Sequence, residues 1–108
     1  MKLRMISAKT FEEYRKDNNV FIIDIREREK YITEHVPNAI WADWETLEDK
    51  ISMLLPETDQ MPKWIILYCD RGNTSLLVAR DLARIGYPVI SVTGGFMAWK
   101  QLKSANGT

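Results

Sequence analysis

Two nearly uninterrupted apolar runs constrain the fold of this chain more than any other feature of its sequence. Residues 20–25 read VFIIDI, and residues 64–68 read WIILY. A strand that is covered on both faces carries such a continuous apolar run, whereas a strand with one wet face alternates between apolar and polar residues. The two runs therefore predict buried strands of a sheet that other elements cover on both sides.

Helix-like and strand-like patterns alternate along the rest of the chain. In chain order we predict a strand at 3–6, a helix at 8–16, the strand at 20–25, a helix at 27–33 and a turn into a short extended piece at 36–40. A helix from the candidate N-cap Asp43 to about 55 follows, then a loop with two prolines at 56–63, the strand at 64–68 and a helix at 75–85 that turns Ile85 towards the core. A strand at 89–92 and a helix after Gly94-Gly95 complete the order. This alternation predicts an α/β fold with a mostly parallel sheet. Ser7 is a candidate N-cap and Gly86 a candidate C-terminal cap.

The length and the charge of the chain limit what it can be. Its 108 residues suffice for one domain with its own core. Fifteen basic and fifteen acidic residues give a net charge of zero, so nothing global indicates a nucleic-acid or membrane partner. No apolar run approaches the ~20 residues of a membrane helix, and no secretory signal is visible. We expect one domain over residues 1–103 and a frayed tail over 104–108.

Cys69 is the only cysteine, so the chain forms no internal disulfide, which fits a reducing compartment such as the cytoplasm. It follows a predicted buried strand, and parallel sheets bind ligands beyond the carboxyl ends of their strands. A helix begins shortly afterwards, and Gly72 lets the loop between them curl. We therefore expect backbone amides to converge on the sulfur, to favour its thiolate and to hold anionic adducts.

Polar side chains around Cys69 add to this expected anion cradle. Arg71 can make a charge-assisted contact with an anionic donor, and the following residues Asn73, Thr74 and Ser75 supply further polar groups. Residue type alone favours a different interpretation, because a lone cysteine after an apolar strand is more often a small buried hydrophobe. Ser75 can equally serve only as the N-cap of its helix.

Further polar and aromatic residues lie near the predicted site. Asp24 and Arg26 end the other buried strand, at the same edge of the sheet as Cys69. They either shape the floor of the site or form a structural charge pair, and we favour the pair because buried charges are normally paired. Of the four tryptophans, we expect two in the core and two at the mouth of the site: Trp64 and Trp99, and Trp41 and Trp44.

Three segments resemble the signatures of the rhodanese family of sulfurtransferases. The IDIRE sequence at 23–27, with Tyr31 and the HVPNA turn at 35–39, resembles the first signature. The CDRGNTS sequence at 69–75 resembles the family's active-site loop, and TGGF at 93–96 with Trp99 resembles its closing signature. Because the segments keep the family's order and spacing, the chain is identified as a member of this family.

The resemblance implies a rhodanese-like three-layer fold with a five-stranded, mostly parallel sheet. It implies that Cys69 takes a sulfane sulfur from a donor such as thiosulfate and passes it to a thiol, to cyanide or to a sulfur-relay protein. The substrate anion would bind the loop of Asp70, Arg71, Gly72, Asn73, Thr74 and Ser75, with Asp24 and Arg26 in support. No metal or organic cofactor is expected, and the one histidine, His35, would be a structural turn residue rather than a partner of Cys69.

Several alternatives stay open at this point. Many members of the family have an arginine where this chain has Thr74, so the donor preference is undecided. A persulfide carrier loaded by a partner enzyme would use the same chemistry, whereas a non-catalytic interaction module would not need Cys69. A phosphatase or arsenate reductase would need an arginine six residues after its cysteine, and this chain has Ser75 there, so we disfavour that activity.

Overall fold

Five strands and five helices alternate within residues 2–56 and 61–105, the part of the chain that the computed structural model describes. They are β1 (Leu3–Ile6), α1 (Ala8–Tyr14), β2 (Val20–Asp24), α2 (Arg28–Thr33), β3 (Ile40–Trp41), α3 (Leu47–Leu54), β4 (Trp64–Tyr68), α4 (Asn73–Arg84), β5 (Val89–Val92) and α5 (Gly95–Ala105). The strands form one sheet in the order β1-β5-β4-β2-β3, and every pairing is parallel. The predicted α/β fold with a five-stranded sheet is confirmed.

Each face of the sheet packs against its own pair of helices. Successive side chains of a strand point to opposite faces. In β4, Ile65 and Leu67 join the core with α3 and α4, whereas Ile66 and Tyr68 join the core with α1 and α5. All five residues of β4 are buried, which accounts for its continuous apolar sequence. Because Cys69 continues the alternation, its side chain lies on the α3 and α4 side.

The third helix begins later than predicted. The Oδ1 atom of Asp43 accepts a hydrogen bond from the Glu45 amide over 2.9 Å, and the carbonyl of Asp43 accepts one from the Thr46 amide over 3.2 Å. These bonds close a separate turn, so α3 starts only at Leu47. Our prediction that Asp43 caps this helix is therefore wrong, because its side chain serves the turn before the helix instead.

The remaining boundaries agree with the predictions to within about two residues, with two further corrections. Ser7 caps α1 by accepting from the Thr10 amide over 3.2 Å, and Gly86 has a φ of 106° after α4, both as predicted. The helix α4 starts at Asn73, two residues before the expected start. Ile85, which we expected in the core, is 51% exposed, because it lies beyond the last helical turn.

The predicted tail and one predicted loop lie partly outside the described residues. The helix α5 includes Ser104 and Ala105, which we had assigned to the frayed tail. Residues 106–108 and residues 57–60 of the predicted loop lie outside the described part of the chain, so fraying of the last three stays a prediction. None of the helices in the described ranges has the length and apolar character needed to cross a membrane.

Glu12 connects α1 to α5 on the face of the sheet opposite Cys69. It accepts hydrogen bonds from Trp99 Nε1 over 2.9 Å and from Lys103 Nζ over 2.9 Å. It also pairs with Arg15, the residue that caps the C-terminus of α1. The hydrogen bond from Arg15 is the largest influence on this carboxyl and, against the opposing effect of burial, lowers its pKa from 4.5 to about 2. The ionised form of Glu12 therefore stabilises the packing of the two helices.

We predict that Glu12→Gln lowers the free energy of unfolding at neutral pH by about 2 kcal/mol, because charge-assisted hydrogen bonds are lost. A carboxyl with a depressed pKa contributes stability above its unfolded pKa and loses it as the pH falls through the folded value. The difference from wild type should therefore shrink as the pH falls from 4.5 towards about 2. Urea denaturation across this range measures it, with the exposed neighbour Glu13→Gln as the control. A difference that does not depend on pH would contradict the prediction.

Candidate functional site

Two backbone amides point at the sulfur of Cys69, directly after β4 at the carboxyl edge of the sheet. The Gly72 amide donates to Sγ over 3.1 Å, and the Ser75 amide donates over 3.3 Å. Cys69 is 6% exposed, and it contributes to the wall of an open cavity. Hydrogen-bond donors around a sulfur favour its negatively charged form. The position thus combines burial of the side chain, access from the cavity and two amide donors directed at the sulfur.

Gly72 sets the direction in which the loop enters α4. Its φ is 101°, and a Cβ atom there would lie 2.9 Å from the Gly94 nitrogen, so the position requires glycine. Gly72 is the N-cap residue of α4, which makes Ser75 the third residue of the helix and excludes the alternative N-cap role for it. The first amides of a helix have no intrahelical acceptor and carry its positive dipole end. In α4 one of these amides, that of Ser75, donates to the sulfur of Cys69.

The first turn of α5 holds the loop from its other side. The Phe96 amide donates to the carbonyl of Cys69 over 2.8 Å, and the Met97 amide donates to the carbonyl of Asp70 over 3.1 Å. A Cβ atom on Gly95 would lie 2.7 Å from the Asp70 oxygen, so only glycine allows this approach. The amides of α5 thus bind the carbonyls on one side of the loop. The Gly72 amide of the loop points the other way, towards the sulfur.

A pair of buried serines fixes the start of α4. The Ser75 hydroxyl donates to the carbonyl of Gly72 over 3.3 Å and shares a hydrogen bond of 2.8 Å with the Ser91 hydroxyl in β5. Ser75 is completely buried and Ser91 is 2% exposed. Sequence reasoning missed Ser91, although a serine inside the apolar strand VISV is a signal that a polar partner faces it.

Asp24 and Arg26 form the buried ion pair that we favoured. Arg26 Nη2 donates to Asp24 Oδ2 over 2.8 Å, and the same nitrogen donates to the carbonyl of Glu34 over 2.6 Å. Burial lowers the pKa of the Arg26 guanidinium, but the hydrogen bonds and the charge of Asp24 outweigh burial and leave that pKa above its ordinary value. Arg26 also contributes to the wall of the cavity, so the pair supports the floor of the site as well.

Tyr68 completes the packing around this ion pair and was missed by sequence reasoning. Its hydroxyl accepts from the Val36 amide over 3.1 Å, and Asp24 is the residue opposite it in the sheet. The guanidinium carbon of Arg26 lies 5.6 Å from the centre of the Tyr68 ring and 3.9 Å from that of Phe96. Burial, together with the neighbouring Asp24 carboxylate, raises the pKa of the Tyr68 hydroxyl far above its ordinary value. The phenol is therefore a neutral structural group.

The cavity in front of Cys69 has a volume of about 580 Å³. Trp41 and Trp44 contribute to its wall, as predicted for the mouth, while Trp64 and Trp99 are buried in the core. Trp41 Nε1 donates to the carbonyl of Arg26 over 2.7 Å, whereas Trp44 is 50% exposed. The predicted loop residues at the wall are Asp70, Arg71, Asn73 and Thr74. Gly72 and Ser75 reach the sulfur through their backbone instead.

His35 has the structural role that we favoured. Its Nδ1 atom donates to the carbonyl of Tyr31 over 2.8 Å, and its ring stacks on the Tyr31 ring at 3.9 Å. It is absent from the wall of the cavity at Cys69, so the two residues form no dyad. Within residues 2–56 and 61–105, no group of three or more His, Cys, Asp or Glu side chains could hold a metal ion.

Comparison with known proteins adds an independent observation. The sequence model of the family described as "Rhodanese-like domain" matches residues 7–102. The chain is 31% identical over 101 residues to thiosulfate sulfurtransferase GlpE of Coxiella burnetii, covering 93% of this chain and 90% of GlpE. It is 37% identical over 82 residues to "Adenylyltransferase and sulfurtransferase UBA4" of Candida albicans, covering 72% of this chain but only 19% of that protein.

A solved structure has the same fold. A rhodanese-related protein from Thermoplasma volcanium superimposes with a TM-score of 0.77 at 24% identity, covering 92% of each chain. At this identity the likeness concerns the fold alone. The region that the family model matches contains the whole loop from Cys69 to Ser75.

We predict that Gly95→Ala lowers the free energy of unfolding by about 3 kcal/mol, because the new methyl group collides with the carbonyls of the loop. Displacement of the loop should also slow alkylation of Cys69. Gly86→Ala is the matched control, since Gly86 has a φ of 106° and nothing lies within 4 Å of its added Cβ atom. It should cost about 1 kcal/mol and leave alkylation unchanged. Equal effects of the two substitutions in denaturation and alkylation would refute this account of the loop.

Proposed function

This chain belongs to the rhodanese family of sulfurtransferases, and from that premise we propose that it moves a sulfane sulfur from a donor such as thiosulfate to a thiophilic acceptor through a persulfide on Cys69. The observation that carries the proposal is the convergence of the Gly72 and Ser75 amides on Sγ. Such donors favour the thiolate that attacks and then hold the negative charge of the sulfur adduct.

In the first half of the cycle, the Cys69 thiolate attacks the sulfane sulfur of thiosulfate. An S–S bond forms between Sγ and that sulfur, while the S–S bond of thiosulfate breaks. Sulfite leaves with the electron pair, and the persulfide retains a single negative charge. The amides at the start of α4 face this charge, and Arg71 at the cavity wall supplies a cation for the anionic donor.

In the second half, an acceptor thiolate or cyanide attacks the outer sulfur of the persulfide. The bond to Sγ breaks, and Cys69 returns to its thiolate, which the same amides stabilise. One cysteine is sufficient, because the acceptor comes from outside the chain. The cycle requires no metal or organic cofactor. It does require that Cys69 stays reduced between turnovers, which suits a cytoplasmic protein.

The other site residues act by position rather than by chemistry in this proposal. Asp24 holds Arg26 as a fixed wall of the cavity, and Lys30 holds Asp70 through an ion pair of 2.9 Å. Asn73 and Thr74 contribute to the wall of the cavity. The partners are a sulfur donor and an acceptor, and a sulfur-relay protein can fill either role, as in the persulfide-carrier alternative.

The phosphatase alternative finds no support at the loop. The position that would hold the phosphate-clamping arginine is Ser75, which is completely buried against Ser91. The nearest guanidinium in the loop, that of Arg71, precedes the glycine and lies on the exposed side of the cavity. The interaction-module alternative leaves unexplained why the amides and the cavity both converge on Cys69.

We predict that incubation with excess thiosulfate or inorganic polysulfide, followed by desalting, adds the mass of one sulfur atom to the intact protein. Cys69→Ala should gain none, because it lacks the attacking sulfur, and circular dichroism of the variant checks that it folds. A wild-type protein that gains no sulfur from any donor, while its thiol still reacts with an alkylating agent, would favour the interaction module. Turnover of an aryl phosphate above the Cys69→Ala background would instead favour the phosphatase.

A further inference from the structure

The charges around the cavity at Cys69 do not balance. Among the described residues, its wall carries four carboxylates, those of Glu27, Asp43, Glu45 and Asp70. It carries two guanidinium groups, which are those of Arg26 and Arg71. The chain as a whole has a net charge of zero, so the excess of negative charge is a local property of this mouth.

Ion pairing separates fixed charges from free ones at the mouth. Arg26 is bound by Asp24, and Asp70 is bound by Lys30, so these groups are neutralised in pairs. Within the part of the chain that the structure describes, Glu27, Asp43, Glu45 and Arg71 form no ion pair. Among the described residues, the wall therefore holds three carboxylate residues without an ion pair against one such arginine.

These charges are close enough to act on a molecule inside the cavity. A sphere of the cavity's volume is about 10 Å across, comparable with the Debye length of about 10 Å at 0.1 M salt. Charges on the wall are thus only partly screened from a reactant beside the sulfur. Trp44, half-exposed at the same wall, offers an aromatic face on which a cation can rest.

We infer that the preferred sulfur acceptor of this site is a thiol with a positive charge next to its sulfur, either a small aminothiol or a cysteine beside basic residues in a peptide. This inference rests on the proposed persulfide chemistry and adds the acceptor's charge to it. A thiolate with a neighbouring ammonium group has no net charge. It is therefore repelled less at the mouth than the thiolate of a molecule that carries no other charged group. A thiolate beside a carboxylate is repelled the most.

The transfer step is balanced without any further reactant. The acceptor thiolate attacks the outer sulfur of the Cys69 persulfide, whose negative charge the amides hold, and a new S–S bond forms. The bond between that sulfur and Sγ breaks, and Cys69 leaves as a thiolate with the electron pair. The transferred sulfur keeps its negative charge, so the acceptor becomes a persulfide anion and nothing is oxidised or reduced overall.

The test begins with protein whose Cys69 persulfide has been verified by intact mass. Because the mouth also repels dianionic donors, loading with excess thiosulfate or inorganic polysulfide is carried out at 1 M salt, which screens the charges and is then removed by desalting. The acceptors are the tripeptides Lys-Cys-Lys, Gly-Cys-Gly and Glu-Cys-Glu and the small thiols cysteamine and mercaptoacetate. Each rate of sulfur loss is divided by the rate at which the same thiol reduces an uncharged disulfide, which removes differences in intrinsic thiol reactivity.

We expect the corrected rate for Lys-Cys-Lys to exceed that for Glu-Cys-Glu by about 10-fold at low ionic strength and by much less at 1 M salt. Glu27→Gln and Glu45→Gln should each lower this preference, and the double variant should remove most of it. The control is Glu13→Gln, which removes one exposed carboxylate from α1 on the other face of the sheet. It should leave the preference unchanged.

Each outcome of this experiment decides something specific. A preference near unity, a preference for the acidic peptide, or one that the two substitutions leave intact would overturn the inference while the persulfide chemistry stands. A protein that forms no persulfide with any donor would overturn the proposed function and this inference with it. Where the preference holds, the corrected rates for cysteamine and Lys-Cys-Lys show whether the cavity favours a small aminothiol or a cysteine in a basic peptide.

Discussion

The structure of the site depends on one backbone arrangement, in which the chain leaves β4 with its carbonyls turned towards α5 and its amides turned towards the sulfur of Cys69. In the first turn of α5, the amides of Phe96 and Met97 donate hydrogen bonds to the two carbonyls. The opposite side of the loop becomes the N-terminal turn of α4, whose third amide reaches the sulfur from Ser75. Two helix N-termini thus hold one short loop, and each supplies donors that its own helix cannot satisfy.

The buried polar groups beneath the loop stabilise it because each has a partner. In the described residues, no buried side-chain nitrogen or oxygen lacks a hydrogen bond. An incompletely paired Asp24 or Arg26 would destabilise the protein by several kcal/mol, so their mutual pairing and their contacts with Tyr68 are needed for the fold to tolerate them. This network fixes Arg26 in the wall of the cavity. Because Asp24 neutralises Arg26, the charges at the mouth that have no ion pair are the ones that act on incoming molecules.

Much of the fold was predictable because the relevant physics is local or periodic. The runs VFIIDI and WIILY identified the central strands, since only a strand covered on both faces carries them. Caps such as Ser7 and Gly86 follow from backbone preferences of single residues. The start of α3 was not predictable in this way, because Asp43 can serve a turn as well as a helix, and the choice depends on how the segment packs.

The amino-acid sequence by itself determined the strand–cysteine–loop–helix order that brings Cys69 to the edge of a parallel sheet, with one thiol and no internal partner for it. Only the tertiary structure decided which groups surround that thiol. The approach of Gly95 to the loop, the bond between Ser75 and Ser91, and the pairing of Lys30 with Asp70 all join residues far apart in the chain. Such contacts depend on how helices and strands pack across the sheet, and neither spacing nor periodicity encodes them.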